Sequence, residues 1–161
     1  MVSINEREAG VSLIELMITI AILGILATVG ISLTSVWSKQ MELDKAAMSI
    51  KSAMSLARST AMRNEFPKQT ADIASKICFD KANHVLSVHK TTAADSASCL
   101  TPIVFKYVFS STIEIKNTDA TDFACFSFNH FGQITNDSGS CGLNLSLRLI
   151  NGSIDETLNL S

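Results

Sequence analysis

Gly10-Val11-Ser12-Leu13-Ile14-Glu15 opens a long apolar segment, and the next charged residue after Glu15 is Lys39. The stretch between them, Leu16 to Ser38, has 23 uncharged and mostly apolar residues. That length is sufficient for one helix to span a bilayer. A lone carboxylate at the start of such a helix is costly in lipid and requires a specific reason. The segment therefore predicts a membrane helix with a functional acid at Glu15.

The spacing of Gly10 and Glu15 resembles the processing site of type IV prepilins. In that family a glycine directly precedes the apolar run, and a glutamate is the fifth residue after that glycine. The resemblance implies that a prepilin peptidase cleaves after Gly10 and that the new N-terminal residue, Val11, is N-methylated. It also implies that Glu15 pairs with the N-terminal amine of a neighbouring subunit. Val11 departs from the family pattern, which usually has phenylalanine there.

A cleaved secretory signal and a plain signal anchor are the two alternatives for this segment. A secretory signal has a basic beginning and a short apolar core, whereas residues 1–10 contain two acids and one base and the apolar run is longer. A signal anchor accounts for the length but not for the pairing of Gly10 with Glu15. Arg7 is the only basic residue before the span. The flanking basic residues therefore do not favour an N-terminus on the cytoplasmic side.

Beyond Ser38 the helical pattern becomes amphipathic. Apolar residues recur at intervals of three and four positions, namely Leu43, Ala46, Ala47, Ile50, Ala53, Met54, Ala57 and Ala61. Phe66-Pro67 ends this pattern, because a residue before proline avoids the α region. The sequence predicts one helix from about Ser12 to about Arg63, half of it in lipid and half packed on a domain.

The end of this helix reads Ala57-Arg58-Ser59-Thr60-Ala61-Met62-Arg63-Asn64. It resembles the signature that closes the first helix in the GspH/FimT family of minor pilins and type II secretion pseudopilins. The signature positions are Ala57, Arg58, Ala61, Arg63 and Asn64. The later run from Phe126 to Gly132 resembles the family's Phe-x-x-x-Gly turn. From the residues alone, Arg58 and Arg63 are interpreted as solvated cations near a helix C-terminus, where the helix dipole favours them.

After Pro67 the apolar residues alternate, which is typical of β-strands. The candidate strands are Ile77–Phe79, Val85–Val88, Ile103–Phe109, Ile113–Ile115, Phe123–Phe128, Leu143–Ile150 and Ser153–Leu160. Asn151-Gly152 is expected to join the last two through a type I′ turn. The predicted fold class is α+β, a pilin-like fold in which a long N-terminal helix packs against a C-terminal antiparallel β domain.

The expected domain organisation has four parts. Residues 1–10 are a prepilin leader, 11–38 are the transmembrane or filament-core half of the helix, 39–65 are its amphipathic periplasmic half, and 66–161 are the globular β domain.

The four cysteines, at positions 78, 99, 125 and 141, all lie in the part that would be exported. An even count in an oxidising compartment indicates disulfides, and three pairings are possible. Cys78–Cys99 and Cys125–Cys141 are favoured, because each closes a short polar loop. No Cys-x-x-Cys is present, and His84 and His89 would face opposite sides of one strand, so no metal site is expected.

The chain has a net charge of −2 and no nucleophile motif, phosphate-binding loop or paired carboxylates. We therefore expect no enzyme activity and no cofactor. The resemblance implies a minor pilin or pseudopilin that is incorporated in, or primes, a type IV pilus or a type II secretion pseudopilus. Its expected partners are other major and minor pilins or pseudopilins, the prepilin peptidase and the inner-membrane assembly platform.

The resemblance also implies the location: a single-pass protein of the bacterial inner membrane with its C-terminal domain in the periplasm, and the filament after assembly. One alternative is a FimT-type DNA receptor for natural transformation. That role uses a basic Gly-Arg-x-Arg motif near the C-terminus, which this chain lacks; its last base is Arg148, and Asp155 and Glu156 follow. Nucleic acid is therefore not an expected partner. Another alternative is a simple membrane-anchored periplasmic protein.

Overall fold

The computed structural model describes residues 10–63, 65–66, 72–137 and 141–160, with the backbone alone at 29–33. Within these residues, one helix precedes seven strands. They are α1 (Leu13–Arg63), β1 (Ser75–Asp80), β2 (Val85–Lys90), β3 (Ile103–Val108), β4 (Ile113–Asn117), β5 (Cys125–Phe128), β6 (Ser146–Asn151) and β7 (Ile154–Asn159). The chain divides into two compact units, Met1–Ser38 and Lys39–Ser161, and α1 contributes to both.

The first unit contains the N-terminal half of α1 and no strand within its described residues. Its large apolar side chains from Val11 to Leu26 are all between 52% and 77% exposed. Among the residues whose side chains the structure describes, no helical stretch combines the length and the apolarity needed to cross a membrane.

The second unit packs the remainder of α1 against two antiparallel sheets. A four-stranded sheet has the order β3-β2-β1-β5, and a three-stranded sheet has the order β4-β6-β7. All the strand pairs are antiparallel. The predicted α+β class, with a helix packed on an antiparallel β domain, is confirmed; the division into two sheets is a feature that the strand pattern did not predict.

The amphipathic pattern of α1 predicts its buried face correctly. All eight residues named from the three-and-four spacing are buried, at 0–7% exposure. Five of them are alanine, and short side chains let the strands approach the helix closely. Phe126, Phe128, Leu147 and Leu149 from the two sheets are buried in the same core. The Ser75 hydroxyl also donates a 2.7 Å hydrogen bond to the Ala57 carbonyl, which joins β1 to the helix.

The last hairpin differs from the expected type I′ turn. Asn151 pairs with Ile154, so the two-residue loop is Gly152-Ser153. Gly152 has φ +64°, and among the described non-glycine residues only His84 and Ala120 have positive φ. Positive φ at the first loop position alone is the pattern of a type II′ turn. Asn151 is instead a buried strand residue. Its side-chain amide nitrogen donates to the Lys39 carbonyl (3.3 Å) and to Glu42 Oε2 (2.9 Å).

The strand predicted from Leu143 begins three residues later, at Ser146. Leu143 is 57% exposed, so the alternation of leucines overstates the strand at this end. The preceding residues belong instead to a disulfide-closed connection, since Cys141 is bonded to Cys125 and the Gly142 amide donates to the Cys125 carbonyl at 3.0 Å.

Two disulfides join Cys78 to Cys99 and Cys125 to Cys141, with Cα–Cα distances of 5.8 Å and 4.6 Å. These are the pairs that the short-loop argument favours. Cys78 and Cys125 are neighbours in the β1–β5 register, yet each is bonded to a loop cysteine. Side chains alternate along a strand, and Ile77 and Phe126 face the core. The disulfides therefore attach two loops to the face of the sheet that lies away from α1.

Removing either disulfide should destabilise the domain. We expect replacement of Cys125 and Cys141 by serine to lower the free energy of unfolding by ~3 kcal/mol, because an unconstrained unfolded chain gains loop entropy. Denaturant unfolding of the oxidised parent and of the variant measures the difference. Non-reducing peptide mapping should recover the two loop-closing pairs; a Cys78–Cys125 peptide would show that the strand neighbours pair instead.

Candidate assembly site

The candidate processing site lies immediately before α1. Gly10 and Val11 precede the helix, and the first helical hydrogen bond runs from the Leu16 amide to the Ser12 carbonyl at 3.1 Å. Glu15 lies in the first turn of α1 and is exposed. The unpaired amides of a first helical turn favour a carboxylate there. The fold therefore presents Glu15 outward at a position where a negative charge is tolerated.

Two threonine hydroxyls in this half of α1 are satisfied by the helix itself. The hydroxyls of Thr19 and Thr28 donate to the carbonyls of Leu16 and Ile25, each at 2.8 Å. Such back-bonding hides a hydroxyl in an apolar setting. Glu15 has no hydrogen bond or ion pair among the described residues. Its charge is therefore available to a group outside the described residues.

Gly10 is not required by packing inside the chain. A Cβ added at Gly10 would meet no atom within 4 Å, and the residue is exposed. A requirement for glycine at this position would consequently come from a partner that approaches the backbone closely, such as a peptidase, rather than from the fold.

The two family resemblances at the end of α1 and in the late turn prove to be one contact. Ala57 and Ala61 are fully buried against the β domain. Gly132, at φ +72°, packs on the same end of the helix: a Cβ there would lie 3.4 Å from the Arg58 carbonyl oxygen and 3.2 Å from Met62 Cγ. Glycine fits because it accepts positive φ and leaves room for the helix backbone.

The turn that carries Gly132 is held by Asn129. The Asn129 side-chain oxygen accepts hydrogen bonds from the amides of Phe131 and Gln133, both at 3.0 Å, and the Gly132 amide donates to the Asn129 carbonyl at 2.9 Å. This side-chain turn fixes the glycine against Arg58.

Arg58 is partly buried and links α1 to the end of the chain. Its Nη2 donates to the Leu160 carbonyl at 3.2 Å. Arg63 is exposed, in agreement with its interpretation as a solvated cation near the helix C-terminus. Asn64, the last signature position, lies outside the described residues.

A buried serine–histidine pair lies on the outer face of the four-stranded sheet. His89 Nδ1 is 2.6 Å from the Thr101 carbonyl, and Nε2 is 2.9 Å from Ser87 Oγ. A carbonyl only accepts, so Nδ1 carries a proton; Nε2 and the Ser87 hydroxyl share a hydrogen bond, and the hydroxyl also lies 3.4 Å from the Cys78 carbonyl oxygen. Nucleophilic catalysis would also need donors for an oxyanion, but β2 is bonded on both sides and its amides serve the sheet. We therefore assign the pair to fastening the 91–102 loop.

His84 occupies the turn before β2, at φ +51°. The prediction that it shares a strand with His89 is therefore wrong, because the chain enters β2 only at Val85. Among the described residues no group of three or more histidine, cysteine, aspartate or glutamate side chains could hold a metal ion.

Exposed ion pairs connect the segment after α1 to the sheet. Lys90 Nζ donates to Glu65 Oε2 at 2.8 Å, and this contact lowers the pKa of Glu65. Lys81 Nζ is 2.6 Å from Asp122 Oδ2, which lowers the pKa of Asp122 and raises the pKa of Lys81. Lowered carboxyl pKa values mean that these contacts stabilise the fold above the unfolded-state pKa and are lost as the pH falls through the folded-state pKa.

Comparison with known families gives one result. The family model described as the prokaryotic N-terminal methylation motif matches residues 6–31, a range that contains both Gly10 and Glu15. No curated protein and no solved structure matches the chain. The motif supports a type IV pilin-like protein that is processed at its N-terminus.

The contact between Gly132 and α1 can be separated from the effect of positive φ. Gly152 also has positive φ, but its added Cβ would meet only the flexible end of Lys39, at 3.4 Å. We expect Gly152→Ala to cost about 1 kcal/mol through backbone strain alone. Gly132→Ala should cost about 1 kcal/mol or more in addition, because the Arg58 backbone must also move.

Thermal or denaturant unfolding of the two variants and the parent measures both costs. Equal destabilisation by Gly132→Ala and Gly152→Ala would show that the close approach to α1 contributes nothing beyond the backbone conformation.

Proposed function

We propose that this chain is a minor pilin or pseudopilin, cleaved after Gly10 by a prepilin peptidase and incorporated in, or priming, a type IV pilus or a type II secretion pseudopilus. The observation that carries the proposal is the methylation motif at residues 6–31, which covers a helix half whose apolar side chains find no cover within the described chain. Pilin-type proteins with this motif are structural subunits, so the role is assembly rather than catalysis.

The mechanism follows from the contrast between the two halves of α1. The half after Lys39 buries its apolar face in the β domain, whereas the half before it exposes apolar side chains over more than half their area. Before assembly the inner membrane would cover these side chains, and after assembly the equivalent helices of neighbouring subunits would do so. In the filament, contact with neighbouring helices would keep this apolar area out of water, as lipid does before assembly.

Glu15 would provide the specific contact within this apolar assembly. Cleavage after Gly10 creates an amine on Val11, and a carboxylate and an ammonium group in an apolar layer stabilise each other because each is expensive alone. As the resemblance to type IV pilins implies, the partner of Glu15 would be the N-terminal amine of a neighbouring subunit. This pairing fixes the axial position of one helix against the next.

The GspH/FimT assignment is supported by the contact between the two resembling motifs. Gly132 packs against Arg58 and Met62, as expected if the helix end and the late turn form a single structural unit. Filament type, pilus or pseudopilus, does not follow from this contact, because function does not follow from fold.

The DNA-receptor alternative has one observation in its favour. Between Lys45 and Arg63, α1 has four cations and no carboxylate. However, the rest of the chain from residue 65 has seven bases and ten acids, and tight DNA binding normally involves several clustered phosphate contacts. A filter-binding assay with double-stranded DNA distinguishes the two functions.

Processing is tested at Gly10. The protein isolated from cells with an active prepilin peptidase should lack residues 1–10 and begin with N-methylated Val11, as measured by intact mass. Gly10→Ala should reduce cleavage strongly although the fold is unaffected, since an added Cβ meets no atom within 4 Å. A native protein that begins at Met1 would contradict the proposal.

Assembly is tested at Glu15. Glu15→Ala should reduce co-purification with filaments by roughly tenfold or more, because the neighbour's amine loses its partner. Membrane level and unfolding of the domain should not change, since Glu15 contacts no described residue of the domain. Glu114→Ala, which removes an exposed acid from β4, is the matched control and should assemble normally. Normal assembly of Glu15→Ala would remove this role.

A further inference from the structure

A shallow groove lies between the exposed side of α1 and the end of the chain. It encloses about 480 Å³ and is lined by Lys51, Met54, Arg58, Met62, Asn159 and Leu160, among others. Met54 and Leu160 form a buried apolar floor, and Met62 is 58% exposed at one end. Two cations, Lys51 and Arg58, stand on the rim. We call this feature the α1 groove.

The cations of the α1 groove have no acidic partner among the described residues. The described ion pairs use Lys76, Lys81, Lys90, Lys116 and Arg148, none of which lies on α1. Lys51 is exposed, and Arg58 donates only to the Leu160 carbonyl. Seven residues separate them, so they stand on the same face of α1 roughly 10 Å apart. A ligand carboxylate placed over the apolar floor would lie between them.

Among the described residues of the β domain, one exposed carboxylate matches. Asp95 is exposed, and its side chain has no hydrogen bond or ion pair among the described residues. Nearly all the other acids after residue 64 are hydrogen-bonded or paired, namely Glu65, Asp72, Asp80, Glu114, Asp119, Asp122, Asp137 and Asp155. Glu156, on β7, is half-buried and pairs with the buried Leu149 of β6.

The loop tip that carries Asp95 is shaped for insertion. Ala93 and Ala94 precede it, both exposed and small. The Thr92 amide donates to the Asp95 carbonyl, and the Asp95 amide donates to Thr92 Oγ1, each at 3.0 Å. Thr91 Oγ1 adds a 2.7 Å bond to the same carbonyl. The tip 93–95 is thus held in one conformation, which reduces the entropy lost on binding.

We propose that the α1 groove of one subunit receives the loop tip 93–95 of a second copy, with Asp95 between Lys51 and Arg58. The groove and the tip are different surfaces of the same chain, so the contact is heterologous: one copy gives the groove and an adjacent copy gives the tip. It rests on the proposed function, because it is an addition to the contact between N-terminal helices. The opposite charges of groove and tip fix the partner's orientation.

Photo-crosslinking in the full-length protein tests the contact. A photoreactive phenylalanine analogue at Ala94 should, in cells that process the chain and assemble filaments, crosslink to a second copy within residues 51–62, as read by mass spectrometry. Lys51→Glu and Asp95→Lys should each reduce the crosslink roughly fivefold, and the double variant should restore it to within about twofold. Lys106→Glu, which changes an exposed cation on β3, should have no effect.

The outcomes separate this contact from the proposed function. Filament incorporation without a crosslink to residues 51–62 overturns the groove contact and leaves the subunit function intact. A crosslink to a different protein, capture of DNA by the groove, or a double variant as weak as the single ones overturns it as well. Failure of the parent chain to enter filaments removes both proposals.

Discussion

The folded domain depends on the packing of one face of α1, which consists mostly of small side chains. Five alanines among eight buried positions leave α1 thin on this side, and two separate sheets close over it. Phe126 and Phe128 supply the volume that the alanines omit. Because neighbouring atoms in a core fill space to crystal-like density, the aromatic residues of the sheets and the alanines of the helix determine each other.

The same helix imposes the functional constraint. The apolar face of its second half is buried in the β domain, whereas its first half has exposed apolar side chains and two threonines that bond back to the helix. Apolar surface of this extent is unfavourable in water. The surroundings that satisfy it must lie outside the described chain, and this requirement, combined with the methylation motif, connects the fold to assembly.

The sequence predicts periodic features well and specific contacts poorly. Every named core position of α1 is buried, because a spacing of three and four reports a helix face directly. The turn predicted at Asn151 is wrong, since Asn-Gly favours a turn locally, but burial and hydrogen bonds to Lys39 and Glu42 place the asparagine in a strand. The contact of Gly132 with Arg58 spans 74 positions, and no local pattern reports such a distance. The cleavage site at Gly10 and the assembly role of Glu15 stay predictions.

The place of Glu15 in the first turn of α1 matters more for the proposed assembly than the presence of a charge alone. A carboxylate in the first turn of a helix is stabilised by the local amides, so the free chain tolerates it there more readily than in the middle of the apolar segment. The same position lies one helical turn from the amine that cleavage after Gly10 would create. In the filament that we propose, a neighbouring helix shifted along its axis would bring its amine to this carboxylate. A purely apolar face could slide to many positions, whereas one buried charge pair selects a single axial offset, as buried polar groups do in other helical assemblies.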